Sequence, residues 1–147
     1  MSARVEVTVF GVFMHQETEL PSQYTFTLYD SQERRMSIFC GQFEAWAISF
    51  ALDGQVPERP MTHDLTVSLL EAAGATVTEA AITDLRDEIF YAALTLQLTD
   101  GTVREIDARP SDAIALALRA KCPIFVAADV WEATVREDLG EASRDVA

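Results

Sequence analysis

The amino-acid sequence predicts a single α+β domain: a mixed, mainly antiparallel sheet built from hairpins and packed by about four helices. Three observations predict it. Strand-like segments come in clusters, three before the first helix and three after the second, rather than in strict alternation with helices as in a doubly wound parallel sheet. The 147 residues carry no repeat, low-complexity tract or linker that would split them, and one domain commonly takes roughly 100–200 residues. Hydrophobic residues make up 49% of the chain, enough for an ordinary core. The domain is expected over residues 1–140, with 141–147 as a frayed acidic tail.

Val5, Val7 and Val9 alternate with Arg4, Glu6 and Thr8, the period-2 mark of a half-buried strand. Tyr24 to Tyr29 alternates likewise, and Arg34 to Phe39 follows after the polar turn Asp30-Ser31-Gln32-Glu33, so these two segments should form a hairpin. From Gln42 to Leu52 the pattern turns helical and leaves only a narrow polar strip, which predicts a helix buried in the fold or against another subunit. Gly54 can end it, and Pro57 and Pro60 keep the next segment extended. Thr62 is expected to cap a second helix running to about Ala73, with Gly74 stopping it. Strands follow at about Thr76–Thr83, Ile89–Leu98 and Thr102–Asp107, the last two joined by the two-residue hairpin signal Asp100-Gly101. Pro110 opens a third helix to about Arg119, a short strand spans Ile124-Phe125-Val126, and a final helix runs from about Asp129 to Leu139.

Composition narrows the function classes. No apolar run approaches the roughly 20 residues that a membrane-spanning helix needs, and the start lacks a secretory profile, so a cytoplasmic protein with no membrane partner is expected. Cys40 and Cys122 stand far apart in apolar stretches and read as reduced, buried thiols. The net charge of −13 argues against a simple nucleic-acid binder, because such proteins present clustered Lys and Arg to phosphates. Any nucleic acid bound here needs a local arginine patch or carboxylate-held cations.

Three stretches carry polar residues that the fold alone does not demand. In Gly41-Gln42-Phe43-Glu44-Ala45, Glu44 is either a cleft carboxylate or part of the helix cap begun by Gly41. In Arg59-Pro60-Met61-Thr62-His63-Asp64, His63 and Asp64 occupy a first helical turn, whose free N–H groups suit an anion and where histidine can move a proton. The plainer account has Thr62 and Asp64 capping, with His63 packed beside Val67. In Asp107-Ala108-Arg109-Pro110-Ser111-Asp112, two carboxylates and an arginine at one strand-to-helix junction could hold a divalent cation beside a phosphate, or form an Arg–Asp bridge and a cap. Asp84, Arg86 and Asp87 make a further charged turn.

Together these runs resemble the bifunctional nuclease domain family. The matching positions are Gly41-x-x-Glu44-Ala45-x-Ala47-Ile48, Arg59-Pro60-x-Thr62-His63-Asp64-Leu65, Gly74-Ala75-x-Val77, Ile82-x-Asp84-Leu85, Phe90-Tyr91-Ala92, Ile106 through Ala117, and Pro123-Ile124. They span roughly Val5 to Val130, and the Asp-Ala-Arg-Pro-Ser-Asp-Ala run is long and compositionally unusual. Two departures stand out: Asp87-Glu88-Ile89 replaces the family's Asp-Gly-Thr turn, which should alter that hairpin, and Glu58 stands where proline is usual.

The resemblance implies an oligomeric α+β domain that hydrolyses phosphodiester bonds of DNA or RNA, and the chemistry of its carboxylates points to Mg²⁺ or Mn²⁺ as the cofactor. On chemical grounds His63, Asp64 and Arg109 are the candidate catalytic residues, and Glu44, Asp84, Asp107 and Asp112 the candidate metal ligands. Arg59, Arg86 and Ser111 are the candidate substrate contacts. Such a site requires His63 to lie within about 10 Å of the Asp107/Asp112 junction. The competing reading is a non-enzymatic oligomeric binding or regulatory domain, whose polar motifs are caps and inter-subunit bridges.

Overall fold

The computed structural model describes residues 3–17 and 19–141. A meander of β1 (Arg4–His15), β2 (Gln23–Tyr29) and β3 (Arg35–Cys40) leads into helices α1 (Gln42–Leu52) and α2 (Thr62–Ala72). A second meander follows, β4 (Ala75–Arg86), β5 (Ile89–Leu98) and β6 (Val103–Ala108), then α3 (Pro110–Ala120), β7 (Ile124–Ala127) and α4 (Ala128–Glu141). Helix α4 runs a turn-half past the predicted Leu139, and the expected tail beyond Glu141 lies outside the described residues.

The strands form one sheet in the order β3-β2-β1-β7-β4-β5-β6. Every neighbouring pair is antiparallel except β4 with β7, so the predicted α+β class with a mixed, mainly antiparallel sheet is what the chain builds. Strand β7 fills the gap between the two meanders. Strand β1 changes partner along its length: Arg4 to Val7 pair with β7, and Thr8 to His15 pair with β2 across a register shift between Val9 and Gly11. Such a shift bends and twists a strand, letting one strand serve both halves of the sheet.

Alternation then sorts the side chains. Val7, Val9, Phe26, Leu28, Met36, Ile38, Ile82, Leu94 and Val126 point into one core with Ile48 of α1, Ile114 of α3 and Trp131 of α4. Alanines at 113, 115 and 117 are buried in α3, where small side chains let the helix lie close on the sheet. One carboxylate fixes the far end. Asp30, only 5% exposed, accepts hydrogen bonds from the Gln32 and Arg34 backbone N–H groups, the Arg34 guanidinium and the Trp131 indole. Burial alone would raise its pKa, but those donors outweigh burial and hold the carboxyl below the usual range.

Several local expectations need correction. Of the two placements expected for α1, burial within the fold is the one corrected: only Ala45, Ala47 and Ile48 are buried, and Phe43, 72% exposed, meets Trp46 edge to face at 5.6 Å on the surface of the chain. The cap of α2 is Met61 rather than Thr62, and Asp64 closes the turn by accepting the Met61 N–H at 3.0 Å. The Asp100-Gly101 turn is a three-residue loop: Gly101, at φ +87°, donates to the Leu98 carbonyl, and Leu98 donates to Thr102. That is the turn-plus-bulge alternative to a two-residue hairpin. The β4–β5 connection stays a tight two-residue turn despite lacking glycine, with Asp87 at φ 51° and Glu88 at φ 65°. No described helix is long and apolar enough to cross a membrane.

Candidate functional site

Three helices begin at the same place. The caps Gly41, Met61 and Arg109 all have extended backbones, and each helix carries an acidic residue three positions on: Glu44, Asp64 and Asp112. An acid there satisfies free N–H groups and the positive helix end. The first turns of α1, α2 and α3 open onto one cleft of about 730 Å³, lined at this end by Glu44, Thr62, His63, Arg109 and Asp112. Its other wall is apolar, formed by Leu94 and Leu96 of β5 and Ile106 of β6.

A chain of charge-assisted bonds runs across the helix starts. His63 Nε2 lies 2.9 Å from Asp112 Oδ1, well inside the distance a single site requires. Arg109 donates Nε to Asp112 Oδ2 at 2.8 Å and Nη2 to Oδ1 at 3.2 Å. The Arg109 Nη2 also stands 3.5 Å from Glu44 Oε1. Burial would raise the Asp112 carboxyl, but Arg109 and His63 outweigh it and hold the group below the ordinary carboxylate range. An ionised carboxylate only accepts hydrogen bonds, so the His63 nitrogen facing it carries a proton. Arg109 has its own pKa pushed further up, first by Asp112 and less by Glu44, while its side chain stays 63% exposed and open to an anion.

Gly41 makes room for this arrangement. A Cβ built there would fall 2.0 Å from Glu44 Oε2, so the carboxylate folds back over a position that only glycine leaves open. Cys40, next along the chain, has its thiol pushed up to about 11 by burial and then by Glu44, and Cys122 is raised by burial as well. Both are half-buried rather than buried and remain free thiols, which suits the inert reading.

Of the other candidate residues only Asp107 lines the cleft. Asp64 turns away from the cleft and accepts Arg119 Nε at 2.8 Å, a bridge from α2 to the last turn of α3. Asp107 belongs to the cleft lining at the end of β6, but it pairs with Ala93, whereas Ile106 pairs with Leu94. The pleat therefore sends its side chain to the opposite face of the sheet from Ile106 and Ala108. Asp84 pairs with Tyr91, and Arg86 stacks on that ring at 4.0 Å, both near the β4–β5 turn and away from the cleft. Arg59 is exposed just before Met61, and Ser111 is buried in the first turn of α3; neither lines the cleft. Sequence reasoning did not single out Thr66 or the β5–β6 apolar wall. The i, i+4 spacing of Thr62 and Thr66 on α2 was the available signal for the first.

The donor set does not fit a divalent metal as arranged. Both Asp112 oxygens are taken by Arg109 and His63, Glu44 is turned to Arg109, and Asp84 is remote. Among the described residues no three His, Cys, Asp or Glu side chains are grouped to hold an ion.

Comparison with known proteins agrees with the motifs now gathered at the cleft. The chain is 38% identical over 122 residues to an uncharacterized protein of Mycobacterium tuberculosis strain H37Rv, covering 82% of this chain and 70% of that protein. The same figures hold for an uncharacterized protein of the CDC 1551 strain. Residues 27–137, which include all three helix starts, match the bifunctional nuclease domain, and the chain belongs to that family.

Proposed function

We propose that the cleft hydrolyses phosphodiester bonds of nucleic acid, DNA or RNA. The observation that carries the reading is the convergence of His63, Asp112 and Arg109 at the adjoining N-termini of α2 and α3. The exposed Arg109 guanidinium is the local cation that phosphate binding needs in a chain of net charge −13. His63 takes a proton from the attacking water or sugar hydroxyl as the new P–O bond forms. The old P–O bond breaks, and the leaving oxygen receives a proton. Asp112 keeps the imidazole oriented and stabilises its charged form, and Arg109 offsets charge growing on the phosphoryl oxygens. No step is assigned to a metal, since the carboxylates are committed to Arg109 and His63.

The test is cleavage of single- and double-stranded DNA and RNA by wild type and by His63→Ala and Arg109→Ala, with Mg²⁺, Mn²⁺ or EDTA. Each substitution is expected to lower the rate about 10²–10⁴-fold in protein that circular dichroism shows to be folded. Wild-type cleavage is expected to persist in EDTA. Equal cleavage by wild type and variants would sink the assignment, and strict metal dependence would mean that a cation draws Glu44 and Asp112 away from Arg109.

A second reading is favoured by the apolar surface near the cleft. Helix α2 buries no residue, and Leu65, Leu69, Phe43 and Trp46 are exposed. On this reading the chain is a homo-oligomeric binding domain and the bridges at the helix starts are structural. Light scattering decides it: a stable oligomer broken by Leu69→Asp, with no cleavage by the intact form, would favour this reading.

A further inference from the structure

A phosphate contact explains only one end of the cleft. The register sets Leu94 beside Ile106 and Leu96 beside Arg104, so the three aliphatic side chains and the arginine share one face of the β5–β6 hairpin. Leu94, Leu96 and Ile106 all line the cavity, and Ile106 remains 44% exposed to whatever enters it. Aliphatic groups offer nothing to a phosphate or a sugar hydroxyl. The cavity, about 730 Å³, is in the range that takes an organic ligand, far larger than a phosphate group requires. Arg104 is exposed and makes no ion pair among the described residues. It lies four positions before Ala108, about 13 Å along β6 from the Arg109 end and outside the residues that line the cavity.

Within the cavity the wall therefore offers one cation, Arg109, followed by an aliphatic surface of Leu94, Leu96 and Ile106. A ligand with an anionic group joined to a planar apolar body matches that sequence of chemistries. We propose that the aliphatic half of the cleft is a pocket for one unpaired nucleobase, which lies against Leu96 and Ile106 while its phosphate sits at Arg109. This rests on the phosphodiester reading for the phosphate end. A base within a duplex is stacked on both faces and paired at its edge, so it cannot enter. The substrate is accordingly single-stranded, or carries a base turned out of the helix.

Calorimetric titration of the full chain in phosphate-free buffer tests this with three probes: ribose 5-phosphate, adenosine, and adenosine 5′-monophosphate. The nucleotide is expected to bind at least about tenfold more tightly than the sugar phosphate. Ile106→Thr, at an exposed position compatible with a strand, is expected to reduce that ratio at least about threefold and leave ribose 5-phosphate binding unchanged. Leu96→Thr serves as a second variant, with circular dichroism confirming that each is folded. Equal affinity for nucleotide and sugar phosphate would overturn the pocket, as would a ratio unchanged in both variants. Loss of a dimer in Ile106→Thr with adenosine binding intact would overturn it too, by assigning the wall to a second copy of the chain. Adenosine binding that depends on Ile106, without any binding of ribose 5-phosphate, would uphold the base pocket and sink the phosphodiester reading alone.

Discussion

Single side chains decide which residues of a motif can act. His63 and Asp64 are adjacent, yet about 100° of helical rotation separates them, so one meets Asp112 and the other meets Arg119. That Glu44, His63, Arg109 and Asp112 lie near helix starts was legible in sequence; that Asp107 reaches the cleft from the other face of β6 and that Asp84 lies by the distant β4–β5 turn depends on strand register and topology, which sequence does not display. Gly41 offers a clean probe of the site. Its φ of −78° suits any residue, so Gly41→Ala should change stability by less than about 1 kcal/mol while its Cβ expels the Glu44 carboxylate from beside Arg109. Altered anion affinity or cleavage with an unshifted unfolding midpoint is the expected result. Asp30→Ala is the opposite case. It strands the Trp131 indole and two backbone donors, leaves Arg34 with Glu132 alone, and should cost about 3 kcal/mol in urea denaturation. The sequence marked Asp30 only as a turn residue, because its partner Trp131 lies 101 positions away.

At the level of elements, periodicity located most helices and strands, and failed where a neighbour outside the element decides the outcome. Helix α1 is apolar on nearly every side in sequence, which leaves burial in the fold and burial against another subunit alike; in the chain Phe43 and Trp46 face outward rather than into the core. The alternation of β1 was visible at Val5, Val7 and Val9, but not the partner change that gives its two halves different neighbours. The β4–β5 turn shows what propensity costs when topology prevails. Two consecutive non-glycine residues in the left-handed region are held there by ten residue pairs in the flanking ladder. Glu88→Gly removes the Cβ clash at φ 65° and is expected to stabilise the protein by about 1 kcal/mol. Its readout is the thermal midpoint, and no increase would mean that the unfolded chain's added freedom cancels the relief.

Across the whole molecule, charge sets the response to solvent. A net charge of −13 opposes compaction, so salt that screens repulsion to a Debye length of about 8 Å should raise the unfolding temperature at pH 7. A fall instead would show that bridges such as Arg109–Asp112 outweigh the repulsion. Acid acts differently. Asp30, Asp64 and Asp112 all have lowered folded pKa values, so their stabilisation is present above the unfolded value of about 3.9 and is lost as pH falls through the folded values. Denaturation monitored by circular dichroism should therefore set in below about pH 4. The placement of β7 also sets the order in which the molecule can be completed. Until Ile124 to Ala127 arrive, β1 and β4 have facing edges with unmet hydrogen bonds and nothing between them. A chain growing from its amino end thus accumulates two half-sheets that can neither join nor fold away their inner edges. Closure waits for a four-residue segment made late in synthesis. During that interval the nascent chain is open to pairing with another copy of itself, and its yield should depend on temperature and on chaperones more than the finished fold would suggest.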